Sequence, residues 1–265
     1  MSILYFPQLA NGSMAQYPVT RSWSRAVTIN TLPDGSMVIM TDPSPPRVSW
    51  ELRYSGLSAA EWGALQTLFS SSQGRYATFT FLDPTDNLLI WSEDPTAAGW
   101  TADALLQVSK GIGDPLGGSG AVTLTNGGQA PQRLMQSVSG PSWFQYCFSV
   151  YLRAEGPCTV SLIRSSTSDE ARQTVDVASS WARVQAAGAL PGQDDGVKFG
   201  LELAAGATVF VFGAQVEAQA CAGVYKSKSG TSGVYQKSRF DQDTLVQATN
   251  TNSQYSTTIQ ITASY

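Results

Sequence analysis

The chain has 265 residues, 42% of them hydrophobic and only 14% charged, against about 25% charged in an average domain. Its 16 Lys+Arg against 20 Asp+Glu give a net charge of −4 with no basic run, which excludes the counterion-releasing patch of a nucleic-acid binder. The sequence holds no histidine, which removes Ser-His and Cys-His nucleophile pairs and the commonest metal ligand.

In chain order, MSILYFPQLANGS carries no basic n-region, so no signal peptide is expected, and no apolar run approaches the ~18 residues of a membrane span. The expectation is synthesis in the cytosol without membrane insertion. AVTINTLPDGSMVIMTD predicts a hairpin turning on Pro33, Asp34 and Gly35. DPSPPRV follows as a stiff loop, because its prolines cannot join a central strand. VSWELRY sets Val48, Trp50, Leu52 and Tyr54 on one face and Ser49, Glu51 and Arg53 on the other, a half-buried strand. In LSAAEWGALQTLFSSSQG, Ser58 and Glu61 form a capping-box pattern. Trp62, Leu65, Leu68 and Phe69 recur at helical spacing, and Gly74 is placed to end the element. RYATFTFL reads as a strand with Ala77, Phe79 and Phe81 on one face.

LDPTDN (residues 82–87) marks a boundary. After it, NLLIWSEDPTAAGW leads into loop-rich sequence through GIGDPLGGSG. Strand patterns then follow: Tyr146, Phe148, Val150 and Leu152 alternate within WFQYCFSVYLRA, and CTVSLIR, WARVQAAG, VKFGLEL and TVFVFGAQVE come after it. Short strands separated by turn residues, without a helix signal, predict a β-sandwich or jelly roll. YKSKSGTSGVYQKS (residues 225–238) reads as a flexible connection whose Lys226, Lys228, Lys237 and Arg239 are solvated. The last pattern, YSTTIQITASY, is one strand with Ile259 and Ile261 on one face. A lone strand needs a sheet, so it is expected to return to the first one. The fold class predicted is mainly β. Residues 1–87, completed by 226–265, form a β-sandwich with one packed helix, and residues 88–225 form an inserted jelly roll.

Chemistry is sparse. Glu93–Asp94, Asp194–Asp195 and Asp241/Asp243 are close in sequence and do not form a pair flanking a cleft, so no catalytic residue, cofactor or metal is expected. Asp83 and Asp86 either cap a turn or offer oxygen ligands to calcium; the EF-hand pattern is absent, which favours the turn. GIGDPLGGSG lacks the Gly-Lys-Ser/Thr ending of a phosphate loop and reads as surface. Cys147, Cys158 and Cys221 show no C-x-x-C spacing, and Cys147 reads as a buried thiol. Trp50, Trp62 and Trp181 lie on apolar faces and are expected in the core. Trp91, Trp100 and Trp143 lie at module edges, either stacking on sugar rings or packing at sandwich ends. Gln215 and Glu217 share one strand face and are expected to satisfy backbone groups where the chain turns toward Tyr225.

Two stretches carry a resemblance. FPQL, WELRY, the capped helix and GRYATFTFLDPTDN, with Gly74, Arg75, Phe79, Phe81 and Asp83 in order, resemble the first domain of distal tail proteins of long-tailed bacteriophages. That resemblance implies a helix packed on a β-sandwich and a ring, a hexamer, at the end of the tail tube. Its partners would be other copies, the tail tube protein, and the tail hub or other tail-tip proteins of the baseplate. NLLIWSED, FSVYLRA, SSWARV and ATVFVFGAQVEAQACAGVY resemble the carbohydrate-binding-module-like jelly rolls of phage tail and fibre proteins. In these a Gly-Ala-Gln-x-Glu strand closes the sandwich, here Gly213, Ala214, Gln215 and Glu217. The usual residues after the closing tyrosine are replaced by KSKSG, and the chain continues. The implied role is a structural virion protein, assembled in the host cytoplasm. The alternatives are a glycan-binding tail-tip adhesin, using Trp91, Trp100 and Trp143 on host surface glycans, or an enzyme acting on polysaccharide.

Overall fold

A computed structural model describes residues 3–41, 43–249 and 254–264. Among these, the chain forms one α-helix and eighteen strands, a mainly β protein. In order come β1 (Thr20–Ser24), β2 (Val27–Thr31), β3 (Met37–Thr41), β4 (Arg47–Leu57), α1 (Ala59–Ser71) and β5 (Phe79–Leu82). Next are β6 (Trp100–Ala102), β7 (Leu106–Ile112), β8 (Ala121–Asn126), β9 (Gln132–Val138), β10 (Tyr146–Arg153), β11 (Cys158–Ser165), β12 (Glu170–Val177), β13 (Ala182–Gly188), β14 (Val197–Leu203) and β15 (Thr208–Glu217). The last are β16 (Val234–Phe240), β17 (Ala248–Thr249) and β18 (Tyr255–Ser264). The chain divides into two compact units, Met1–Pro7 with Ala15–Phe81 and Tyr235–Tyr265, and Gln8–Met14 with Leu82–Val234.

The first unit is built on the sheet β1-β4-β18-β16-β5, with β17 paired to β18. Val48, Trp50, Leu52 and Tyr54 are buried along β4, as their alternation requires. β18 runs antiparallel beside β4, with Ile259 opposite Leu52 and Ile261 opposite Trp50. Phe6, Trp50, Phe79, Phe81, Tyr235 and Phe240 interlock mostly edge-on or tilted, the geometry that aromatic quadrupoles favour. Helix α1 starts at a complete capping box, Ser58 with Glu61. It buries Trp62, Leu65 and Leu68, stacks Trp62 on Tyr255 and sets Phe69 edge-on to Phe240. It ends at Ser72, before Gly74: Gln73 and Gly74 both adopt left-handed φ (52° and 62°). RYATFTFL is shorter as a strand than its pattern predicts, since pairing begins only at Phe79.

The second unit is a sandwich of two antiparallel sheets, β13-β10-β15-β8-β7 and β12-β11-β14-β9-β6. Successive strands cross repeatedly from one sheet to the other, the jelly-roll wrap. Tyr146 and Phe148 of one sheet meet Phe199 of the other in the core. The stretch read as loop-rich, through Gly120, holds strands β6 and β7, and β8 and β9 follow it in residues 121–138, for which no strand was expected. Their patterns are blurred by Ser109, Lys110 and Gly111 in β7, where the register shifts. Asp114 organises the GIGDPLGGSG loop by accepting from the amides of Leu116, Gly118 and Gly120 (2.8, 3.0 and 2.9 Å). Edge strand β12, EARQTVDV, is exposed along most of its length and so lacks an apolar alternation.

The unit boundaries differ from those expected at 87 and 225. Residues 82–87 belong to the second unit, and so does the returning segment through Val234. Gln8–Met14 belongs there too, because the Gln8 side chain donates to Gln145 O (2.8 Å) and accepts from Gln145 N (2.8 Å).

Candidate functional site

Two regions present unusual chemistry, one in each unit. In the first, β2 and β3 form a separate two-stranded sheet around the expected turn. Leu32 N donates to Ser36 O, Asp34 Oδ1 accepts from Ser36 N (2.9 Å), and Gly35 takes φ 83°. The register sets Ile29 opposite Ile39, Val27 opposite Thr41 and Thr31 opposite Met37. Val27, Ile29, Met37 and Ile39 therefore share one face, and each is more than half exposed (54%, 53%, 64% and 62%). Val38 and Met40 are exposed on the other face. An isolated hairpin is marginal in water, and a contiguous exposed apolar patch marks an interaction surface.

In the second unit, the segment expected to be a flexible linker is tied down. Asn87, fully buried, donates to Ala214 O and Lys226 O (3.0 and 3.2 Å) and accepts from Leu89 N and Val216 N (both 3.0 Å). Gly233 N donates to Asn87 O and Asp83 N to Gly233 O (both 2.8 Å). Gln215, also fully buried, accepts from Lys226 N (2.7 Å) and donates to Val224 O (3.2 Å). Glu217, 2% exposed, accepts from Gly223 N (2.7 Å) and pairs with Lys226 Nζ (2.6 Å). Lys228 pairs with Asp86 at 2.5 Å with both side chains largely buried. Lys226 and Lys228 are thus internal charge partners and not solvating groups. Asp86 lies 142 residues before Lys228, and Glu217 sits on strand β15 nine residues before Lys226, so neither partner falls within the polar stretch that composition alone marks as a linker. Val234–Phe240, the rest of that stretch, is strand β16 of the first sheet. Asp83 Oδ1 accepts from the amide and hydroxyl of Thr85 (2.8 and 2.7 Å), a turn built by its side chain. Tyr225 OH donates to Glu93 (2.8 Å), and burial pushes its pKa up.

The three candidate tryptophans occupy different surroundings. Trp100 donates from Nε1 to Trp91 O (2.9 Å) and lines the sandwich interior beside Leu134 and Phe212. Trp91, at φ 52°, lays its ring against Gly230, where a Cβ would come within 3.2 Å. Trp143 is 41% exposed, edge-on to Phe144. Trp50 and Trp62 are core (1% and 7% exposed), but Trp181 is not. It is half-buried, with the Arg153 guanidinium 5.6 Å from its ring and 4.3 Å from that of Phe210. Arg153 and Phe210 are cross-strand partners on β10 and β15. Trp181, Arg153 and Phe210 thus form an aromatic-cationic cluster that the sequence reading missed, and Tyr151, two residues before Arg153 on β10, has the Arg183 guanidinium 5.6 Å from its ring. The signal for it was the position of Arg153 in FSVYLRA, opposite in phase to the buried Phe148, Val150 and Leu152.

Of the cysteines, Cys147 is buried, Cys158 half-buried and Cys221 exposed, all as free thiols. Burial, and after it the charge of Glu217, pushes the Cys147 thiol up to about 12. A raised thiol pKa keeps the unreactive protonated form across the neutral range. At pH 8, iodoacetamide is therefore expected to label Cys221 and leave Cys147 unmodified until the protein is denatured. Peptide mass spectrometry checks this, and native labelling of Cys147 at the rate of Cys221 would contradict it.

No family model and no curated protein matches the sequence. Among solved structures, the chain is similar to the enzymatically active domain of tailspike protein 4 of bacteriophage CBA120, with 12% identity and a TM-score of 0.41. The match covers 52% of this chain and 22% of that one. It is similar to the CBM22-1 xylan-binding domain from Paenibacillus barcinonensis, with 19% identity and a TM-score of 0.41 over 52% of this chain and 97% of that one. It is also similar to TmCBM61, solved with β-1,4-galactotriose, with 16% identity and a TM-score of 0.39 over 49% of this chain and 97% of that one.

Proposed function

We propose that the protein is a structural, non-catalytic component of an assembled particle, a distal-tail or tail-tip ring protein of a bacteriophage whose copies join through the β2–β3 hairpin. The observation that carries this reading is the exposed apolar face of Val27, Ile29, Met37 and Ile39. Covering a fully exposed aliphatic side chain contributes about 1.5–3 kcal/mol; with a little over half of each side chain exposed, each of the four supplies about half of that on association. A head-to-tail contact of this kind closes into a ring when its rotation allows. The low charge of the chain suits close packing of copies. Within a virion, the remaining partners would be the tail tube and hub proteins. Sedimentation velocity over a range of concentrations tests the reading. Growth of one discrete oligomer supports it, and a monomer at the highest concentration contradicts it.

A second reading, glycan binding by the jelly roll, is favoured by the half-buried rings of Trp181 and Phe210 beside Arg153. Aromatic faces stack on the C–H faces of sugar rings while a guanidinium donates to hydroxyls. On a glycan array, binding that is lost in Trp181→Ala with an unchanged melting temperature would establish it. A blank array with the wild-type protein would remove it.

A further inference from the structure

Arg164 stands on β11 in phase with Val160 and Leu162, which face the sandwich interior, and it is opposite the buried Phe199 of β14. It is 8% exposed. Among the described residues it makes no hydrogen bond or ion pair, and its Nε is a buried donor without an acceptor. The nearby acids are engaged elsewhere. Glu202 and Glu170 both pair with Arg133 and Arg172 on the other face of that sheet.

A buried ion without a partner carries a desolvation penalty of several kcal/mol. Arginine cannot escape it by losing its proton near neutral pH, although burial does lower its pKa. The surroundings are shaped to hold this group. Gly188 lies where a Cβ would come within 2.6 Å of Arg164 Nη2. The guanidinium floors a slot of about 160 Å³ between β12 and β13, edged by Ala171, Gln173, Ala186 and Ala187. Small side chains thus keep a passage open to a buried, planar, fivefold donor.

We propose that Arg164 and this slot form a binding site for a carboxylate borne by a small ligand. A carboxylate is the planar anion that a guanidinium fork matches with two parallel hydrogen bonds. The edging alanines accommodate the apolar carbons of the ligand, and Gln173 offers a neutral polar contact at the mouth. The source of the carboxylate is either a simple organic acid or an acidic sugar, which share this chemistry.

Calorimetric titration of the whole protein with acetate, D-galacturonate and D-galactose tests the site. Saturable binding of acetate and galacturonate, with none for galactose, supports a site for simple acids as well as sugars. Binding of galacturonate alone supports an acidic sugar. In Arg164→Met, which puts an apolar chain of similar length in place of the charge, affinity is expected to fall at least tenfold while the melting temperature holds or rises. Should that variant fail to fold, Ala171→Val narrows the slot with Arg164 kept and is expected to weaken binding similarly. Failure of both acids to bind, equal binding of galactose, or unchanged affinity in the variants overturns the proposal. These outcomes are independent of self-association through the hairpin.

Discussion

Aspartate at both Ile29 and Ile39 is expected to leave the protein monomeric at concentrations where the wild type assembles. The two residues are cross-strand partners, so the double variant places two charges at the centre of the apolar face. With a little over half of each side chain exposed, losing the two aliphatic contacts costs about 1.5–3 kcal/mol per interface, which weakens association on the order of tenfold to a hundredfold. Both side chains are more than half exposed in the single chain. The two carboxylates face each other across the strands, which costs up to about 1 kcal/mol within the hairpin, while the rest of the unit is expected to melt unchanged. Light scattering reads the first effect and thermal melting the second. A variant that assembles like the wild type would mean that the hairpin serves another partner. A variant that unfolds would mean that the hairpin supports its own unit.

The second large effect is expected at Asn87. Asn87→Ala removes acceptors from the buried amides of Leu89 and Val216 and donors from the carbonyls of Ala214 and Lys226. Each buried polar group left unsatisfied costs about 1–3 kcal/mol, and some are partly re-satisfied by relaxation. A net loss of about 3–5 kcal/mol is expected, lowering the melting temperature by about 10 °C in a chain of this size. Calorimetry checks this. A shift under about 2 °C would show that the returning segment is held by Gln215 and the Glu217–Lys226 pair without Asn87.

The sequence showed clearly those elements whose local pattern and tertiary role agree. The capping box at Ser58 and Glu61 and the alternation through Trp50 were legible because neighbouring residues alone determine them. The strands β7, β8 and β12 were not. One is interrupted by Gly111 at a register shift, and β12 is exposed on most of its length. The returning segment reads as a linker in isolation because Lys226 and Lys228 find their acids at Glu217 and Asp86 only after folding. The apolar positions around Trp181 mark it as a core residue, yet it is half-buried with the Arg153 guanidinium 5.6 Å from its ring. The signal of Arg164 was present as a charge in phase with Val160 and Leu162. The hairpin was legible as a hairpin, but its exposure was not, since a pattern of Val, Ile and Met ordinarily marks a face the chain covers itself.

The central claim is that the β2–β3 hairpin joins copies of the chain into a closed assembly. Electron-microscopy class averages of the purified protein at high concentration test this most directly. The account predicts rings of one subunit number in the wild type, absent from the Ile29→Asp, Ile39→Asp double variant. Isolated single chains in the wild-type images, or identical rings formed by the double variant, would contradict it.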